Sequence, residues 1–143
     1  MMELTAAALV DAGICPTCYD REHDHALYGD CSDKLLFENE LFECMLVGNP
    51  RAPGHTAIIS KAHYKDMLEI PDQLCQEVYL FAKKVMQALK AVYGSESVYL
   101  CTMCDGPHNT FYLVSLSSKA SALPIELWAH KSSRLGTTPQ RQR

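Results

Sequence analysis

Two thiols sit three residues apart in Cys15-Pro-Thr-Cys18, a spacing that lets one tight turn present both sulfurs to a single ion. Zinc takes four such donors in a tetrahedron, so this pair supplies half a site and the rest must come from elements folded alongside it. His63 ends the segment Pro53-Gly-His55-Thr-Ala-Ile-Ile-Ser-Lys-Ala-His63, and His108 closes the turn Cys104-Asp-Gly-Pro-His108. Each flanks an apolar run, which makes Cys15, Cys18, His63 and His108 a candidate Cys2His2 set. Other uses of the cysteines stay open. A Cys-x-x-Cys redox pair belongs in a βαβ setting, which this sequence lacks. Cys15 and Cys18 could also be unliganded thiols, or join Cys101 and Cys104 in a four-cysteine site. Against the last stand the 82 residues between Cys18 and Cys101, and the alternation that would turn Cys101 and Cys104 to opposite faces of a strand running through both. His23 and His25, in the polar loop from Asp20 to Asp30, read as solvated side chains.

The elements that must position these groups are legible in the apolar pattern. Lys34 to Val47 reads as two short strands turning at Glu38-Asn39-Glu40, a hairpin. Gly48-Asn-Pro-Arg-Ala-Pro-Gly54 breaks the chain, and Thr56-Ala-Ile-Ile59 resumes as a third strand ending near Lys61. Pro71-Asp72 opens a long helix in which Leu74, Val78, Phe81, Val85, Leu89 and Val92 recur at steps of three and four, with Gly94 at the C-terminal cap. Ser97 to Met103 and Thr110 to Val114 supply two more strands. Strands, a long helix and strands again predict an α+β fold with a mostly antiparallel sheet.

A chain of 143 residues is the size of one domain with a single core. Its 48% hydrophobic and 21% charged residues are ordinary for a globular protein, and no apolar run approaches the roughly 18 residues of a spanning helix. The N-terminus carries Glu3 and Asp11 rather than a basic start, so a cytoplasmic protein is expected. Seven cysteines with only two close pairs make a poor disulfide framework. The net charge of −4 is unevenly spread: residues 1–129 hold 9 Lys and Arg against 17 Asp and Glu, while residues 130–143 hold four bases and no acid. An acidic body argues against nucleic acid as a partner. Residues 117–143 read as a flexible basic extension to a domain of residues 1–116, with Leu123-Pro-Ile-Glu-Leu-Trp128 as its one stretch able to dock on the body.

Over residues 14–116 the chain resembles the histidine triad (HIT) superfamily of dinucleotide polyphosphate hydrolases and nucleotidyl transferases. The likeness rests on Cys15-Pro-Thr-Cys18, the Pro53-Gly-His55 turn with Ile58-Ile-Ser-Lys-Ala-His63, the long helix, and Cys104-Asp-Gly-Pro-His108-Asn109. It implies a five-stranded antiparallel sheet with two helices, often paired as a homodimer, and a structural zinc held by Cys15, Cys18, His63 and His108. The family triad is three histidines at alternate positions of a strand; here those positions read His108, Thr110 and Tyr112. In active relatives the middle histidine attacks the α-phosphorus and forms a covalent nucleotidyl intermediate. Thr110 stands in its place, and a hydroxyl is a weak nucleophile without a base. His55 resembles a further active-site histidine, and its alternative is to satisfy backbone groups of the Pro53-Gly54 turn. Tyr112 could donate a hydrogen bond to phosphate or simply pack. Val47 replaces the acid or amide expected at the ribose, and Ser117-Ser118 replace Pro-Arg. The reading that follows is a zinc-binding, catalytically impaired nucleotide-binding relative. The alternatives are an active hydrolase or transferase of phosphoanhydride or phosphoramidate bonds, and an interaction protein that uses its basic tail.

Overall fold

The computed structural model describes residues 3–116. The extension from Ser117 onward, with its Leu123 to Trp128 stretch, lies outside them. Five strands form one antiparallel sheet in the order β1-β2-β3-β5-β4: β1 (Leu35–Glu38), β2 (Phe42–Leu46), β3 (Thr56–Ser60), β4 (Ser97–Thr102) and β5 (Thr110–Leu116). The expected hairpin is β1–β2. Asn39 makes its turn, its side-chain oxygen accepting the N–H groups of Leu41 and Phe42, both at 2.9 Å.

Among the described residues three α-helices accompany the sheet: α1 (Ala6–Asp11), α2 (Pro16–Glu22) and α3 (Asp72–Tyr93). The long α3 is the helix read from the apolar pattern, which places neither α1 nor α2; the Thr5 hydroxyl caps α1 by accepting the Ala8 N–H at 3.1 Å. Gly94 ends α3 in the left-handed region at φ 63°. The stripe that α3 buries is Leu74, Val78, Ala82, Val85 and Leu89, packed against Phe42, Cys44, Ile58, Phe111 and Leu113. Two residues of the expected stripe depart from it. Phe81 is only partly buried and stacks on Phe37 at 4.7 Å, and Val92, in the last turn, stays 72% exposed.

The register decides which side chains share the other face. Met45, Ala57, Tyr112 and Cys101 form one row across β2, β3, β5 and β4, and Glu43, Ile59 and Thr110 form the next. A tight contact seals one end of the molecule: a Cβ on Gly54 would meet Leu89 Cδ2 and Tyr93 Cε2, each at 2.5 Å. Gly54 has φ +78°, so both space and backbone call for glycine. Among the described residues no helix is long and apolar enough to cross a membrane.

Candidate metal centre

Antiparallel pairing brings the end of β3 beside the start of β5: Ile59 is the partner of Thr110. His63, three residues past β3, and His108, two before β5, therefore emerge at the same end of the sheet. The chain that carries them is stitched together locally. The Asn109 N–H donates to the Tyr64 carbonyl at 2.7 Å, and the Asp66 carboxylate accepts the N–H groups of Leu68 and Asp105, both at 2.9 Å. The Asp105 N–H, the largest cause, holds the Asp66 carboxyl below its ordinary pKa.

Helix α2 delivers the thiols to this end. Cys15 is its N-cap and Pro16 its first residue, where a missing N–H costs nothing. Cys18 lies one turn on, so both sulfurs point to the same side. Cys15 Sγ is 3.4 Å from His108 Nδ1, and Cys18 Sγ is 3.3 Å from His63 Nδ1 and 3.8 Å from His108 Nδ1. The four donor atoms lie within 4.8 Å of one another, a group able to hold a metal ion. His108 is 7% exposed, and its Nε2–H donates to the Ser60 carbonyl at 2.7 Å. A carbonyl can only accept, so the bond fixes the tautomer that turns the Nδ1 lone pair toward the sulfurs. Burial lowers the pKa of the His108 imidazole. Burial also raises the Cys18 thiol to about 11, helped by the hydrogen bond and charge of Cys15. Without a metal that thiol is protonated near neutral pH, and a metal that takes it as thiolate must expel the proton.

The remaining candidates fall elsewhere. Cys104 is exposed, and Cys101 sits on β4 with its Sγ 3.7 Å from the Tyr112 carbonyl. Neither belongs to the group of four. Cys44 is in the core, its thiol pushed up to about 12 by burial. His23 stacks on Tyr19 at 3.9 Å, and His25 pairs with Asp20 at 3.0 Å. His55 is 1% exposed; its Nδ1 accepts the Arg51 N–H at 3.3 Å, and its ring lies 5.7 Å from that of Tyr112. Burial pushes the Tyr112 phenol up to about 12. Val47 donates its N–H to the His55 carbonyl at 2.9 Å.

Thr110 is not beside His55. It faces Ile59, four residues along β3 from His55, a separation of about 13 Å at strand rise. Its hydroxyl donates to the His108 carbonyl at 3.2 Å. Sequence reasoning missed Arg21, which anchors α2 to the sheet: Nη1 donates to the carbonyls of Ser60 and Lys61, both at 3.0 Å, and Nη2 to Glu43 Oε1 at 2.8 Å.

Residues 29–114 match the family model described as "HIT domain". The chain belongs to the HIT-domain family. Cys15 and Cys18 precede the matched segment, so within this HIT protein α2 brings half of the donor set from outside it. An uncharacterised HIT-like protein of Borreliella burgdorferi is 32% identical over 68 residues, 45% of this chain and 49% of the relative, so the HIT chain spans about half the length of that relative. Solved structures carry the likeness in fold further. A HIT family member from Bacillus subtilis superposes with a TM-score of 0.61 at 17% identity, covering 88% of this chain and 98% of its own. A Zn-bound histidine triad family protein from Mycobacterium smegmatis does so with 0.54 at 18% identity, covering 71% and 78%.

Proposed function

We propose that this protein is a zinc-held HIT domain whose triad strand has lost its nucleophile, so that it binds a nucleotide without turning it over. The zinc reading is supported by the donor spacings. In a tetrahedron with Zn–S of about 2.3 Å and Zn–N of about 2.0–2.1 Å, neighbouring S and N ligands lie about 3.6 Å apart. Three of the four S···N separations here, 3.3, 3.4 and 3.8 Å, straddle that edge length, and the fourth lies within 4.8 Å. The Mycobacterium smegmatis relative is described as Zn-bound. Cys15, Cys18, His63 and His108 would hold the ion, which would tie the N-terminal segment to the sheet and do no chemistry on a substrate.

The observation that carries the silent reading is the setting of Thr110. Its proton is directed at the His108 carbonyl, and His55 lies about 13 Å along β3. A hydroxyl without a base in reach is a poor nucleophile. His108 itself is turned toward the thiols. Tyr112, beside His55, would offer a neutral phenol as a hydrogen-bond donor to a phosphate oxygen. The same proposal takes residues 1–116 as the domain and 117–143 as an extension, in a cytoplasmic protein able to pair as a homodimer.

The test is to incubate the protein with adenosine 5′-phosphoramidate and a diadenosine polyphosphate, follow nucleotide release, and compare Thr110→Val and Thr110→His/Tyr112→His. The proposal predicts no turnover in the natural chain or in Thr110→Val, and turnover in the double variant. Turnover in the natural chain that Thr110→Val abolishes would refute it.

A further inference from the structure

The Ser60 carbonyl oxygen receives two donors: His108 Nε2–H at 2.7 Å and Arg21 Nη1 at 3.0 Å. We infer that Arg21 is the positioning residue of the metal centre, holding the peptide whose carbonyl keeps His108 turned with Nδ1 toward Cys15 and Cys18. The inference rests on the zinc reading above.

Arg21 lies on α2 one turn beyond Cys18, and its guanidinium spans three acceptors, on β2, at the end of β3 and on the residue after it. Nη1 also reaches the Lys61 carbonyl at 3.0 Å, and Nη2 reaches Glu43 Oε1 at 2.8 Å. Gripping two successive carbonyls fixes the rotation of the peptide between them, which a single point contact would leave free. The Glu43 carboxylate fixes the guanidinium in turn. Arg21→Lys keeps the charge while giving up the fork, which separates orientation from charge. The Ser60 hydroxyl is a looser partner, 3.2 Å from His108 Nε2. Partners one step removed from a metal-bound imidazole change affinity about 10- to 100-fold. Arg21 acts one step further out, through the carbonyl, and from the same helix that carries the thiols.

The test measures zinc affinity by competition with a chromophoric chelator and reads the His108 ring nitrogens by 15N NMR, for the full chain and for Arg21→Met, Arg21→Lys and Glu43→Gln. Arg21→Met is expected to weaken zinc binding about tenfold or more and to shift His108 from a single Nδ1-bound form to a mixture. Arg21→Lys should recover only part of the loss, since one ammonium cannot span the three acceptors. Wild-type affinity with an unchanged His108 spectrum in Arg21→Met overturns the inference, whatever its melting temperature; so does full recovery by lysine, which would assign the effect to charge. If Arg21→Met does not fold, Glu43→Gln decides: a smaller loss of affinity supports the inference and an unchanged affinity and spectrum overturns it. A natural chain that binds no zinc would sink the metal reading itself, an outcome distinct from a chain that binds zinc indifferently to Arg21.

Discussion

His63→Ala separates metal binding from ordinary packing, because His63 contributes little to the fold except through the donor group. Its side chain is exposed, with Cys18 Sγ at 3.3 Å and the His108 ring at 5.4 Å as its contacts near the site. With chelator present, the substitution should change stability by no more than about 0.5 kcal/mol, the usual range for a surface position. With free zinc held about 1,000-fold above the dissociation constant, linkage stabilises the natural protein by about 4 kcal/mol. If loss of one ligand weakens binding about 1,000-fold, the same zinc stabilises the variant by only about 0.4 kcal/mol. The difference, about 3.7 kcal/mol, corresponds to about 15 °C at about 4 °C per kcal/mol for a chain of this size. Thermal unfolding followed by circular dichroism, in buffered zinc and again in chelator, reads both numbers. A gap of similar size in both conditions would mean that His63 acts through packing, and no gap in zinc would mean that it is not a ligand; either refutes the reasoning.

Three further outcomes follow from the packing and the charges. Gly54→Ala should cost about 2–4 kcal/mol in urea unfolding, combining a left-handed backbone with a Cβ driven into Leu89 and Tyr93; an unchanged midpoint would contradict the closure of α3 over this turn. The Asn109 side chain is 1% exposed, and neither its nitrogen nor its oxygen has a partner among the described residues, so Asn109→Leu should raise stability by about 1 kcal/mol. A loss instead would mean that water or another group satisfies the amide. The hydrogen bond that the His25 ring donates to the Asp20 carboxylate raises the pKa of His25, so this pair adds stability below the ordinary histidine pKa and loses it as pH rises through the folded value. NMR titration should place His25 above 6.5 and return it toward that value in Asp20→Asn; an unmoved titration would sink the pairing.

Much of this architecture is written in local pattern. The hairpin follows from two apolar runs around Asn39, and α3 from the recurrence of Leu74, Val78, Val85 and Leu89, because period and turn chemistry are properties of neighbouring residues. The donor group was legible for the same reason at one end, where Cys15 and Cys18 share a turn. His63 and His108 became candidates by lying at strand ends. What joins them is the β3–β5 pairing, which no short window of sequence contains. Arg21 was invisible on those terms, since its partners Ser60, Lys61 and Glu43 are set by the β2–β3 register and by where α2 lands. The separation of Thr110 from His55 is also a register effect. The helix α1 did leave a signal, Thr5 ahead of an alanine run, a cap of ordinary strength.

The proposed zinc would be held by one donor set, Cys15, Cys18, His63 and His108. X-ray absorption at the zinc edge of the metal-loaded protein tests it most directly. The proposed zinc site calls for two sulfurs at about 2.3 Å and two nitrogens at about 2.0–2.1 Å. A shell of four sulfurs, or one of nitrogen and oxygen alone, would contradict it.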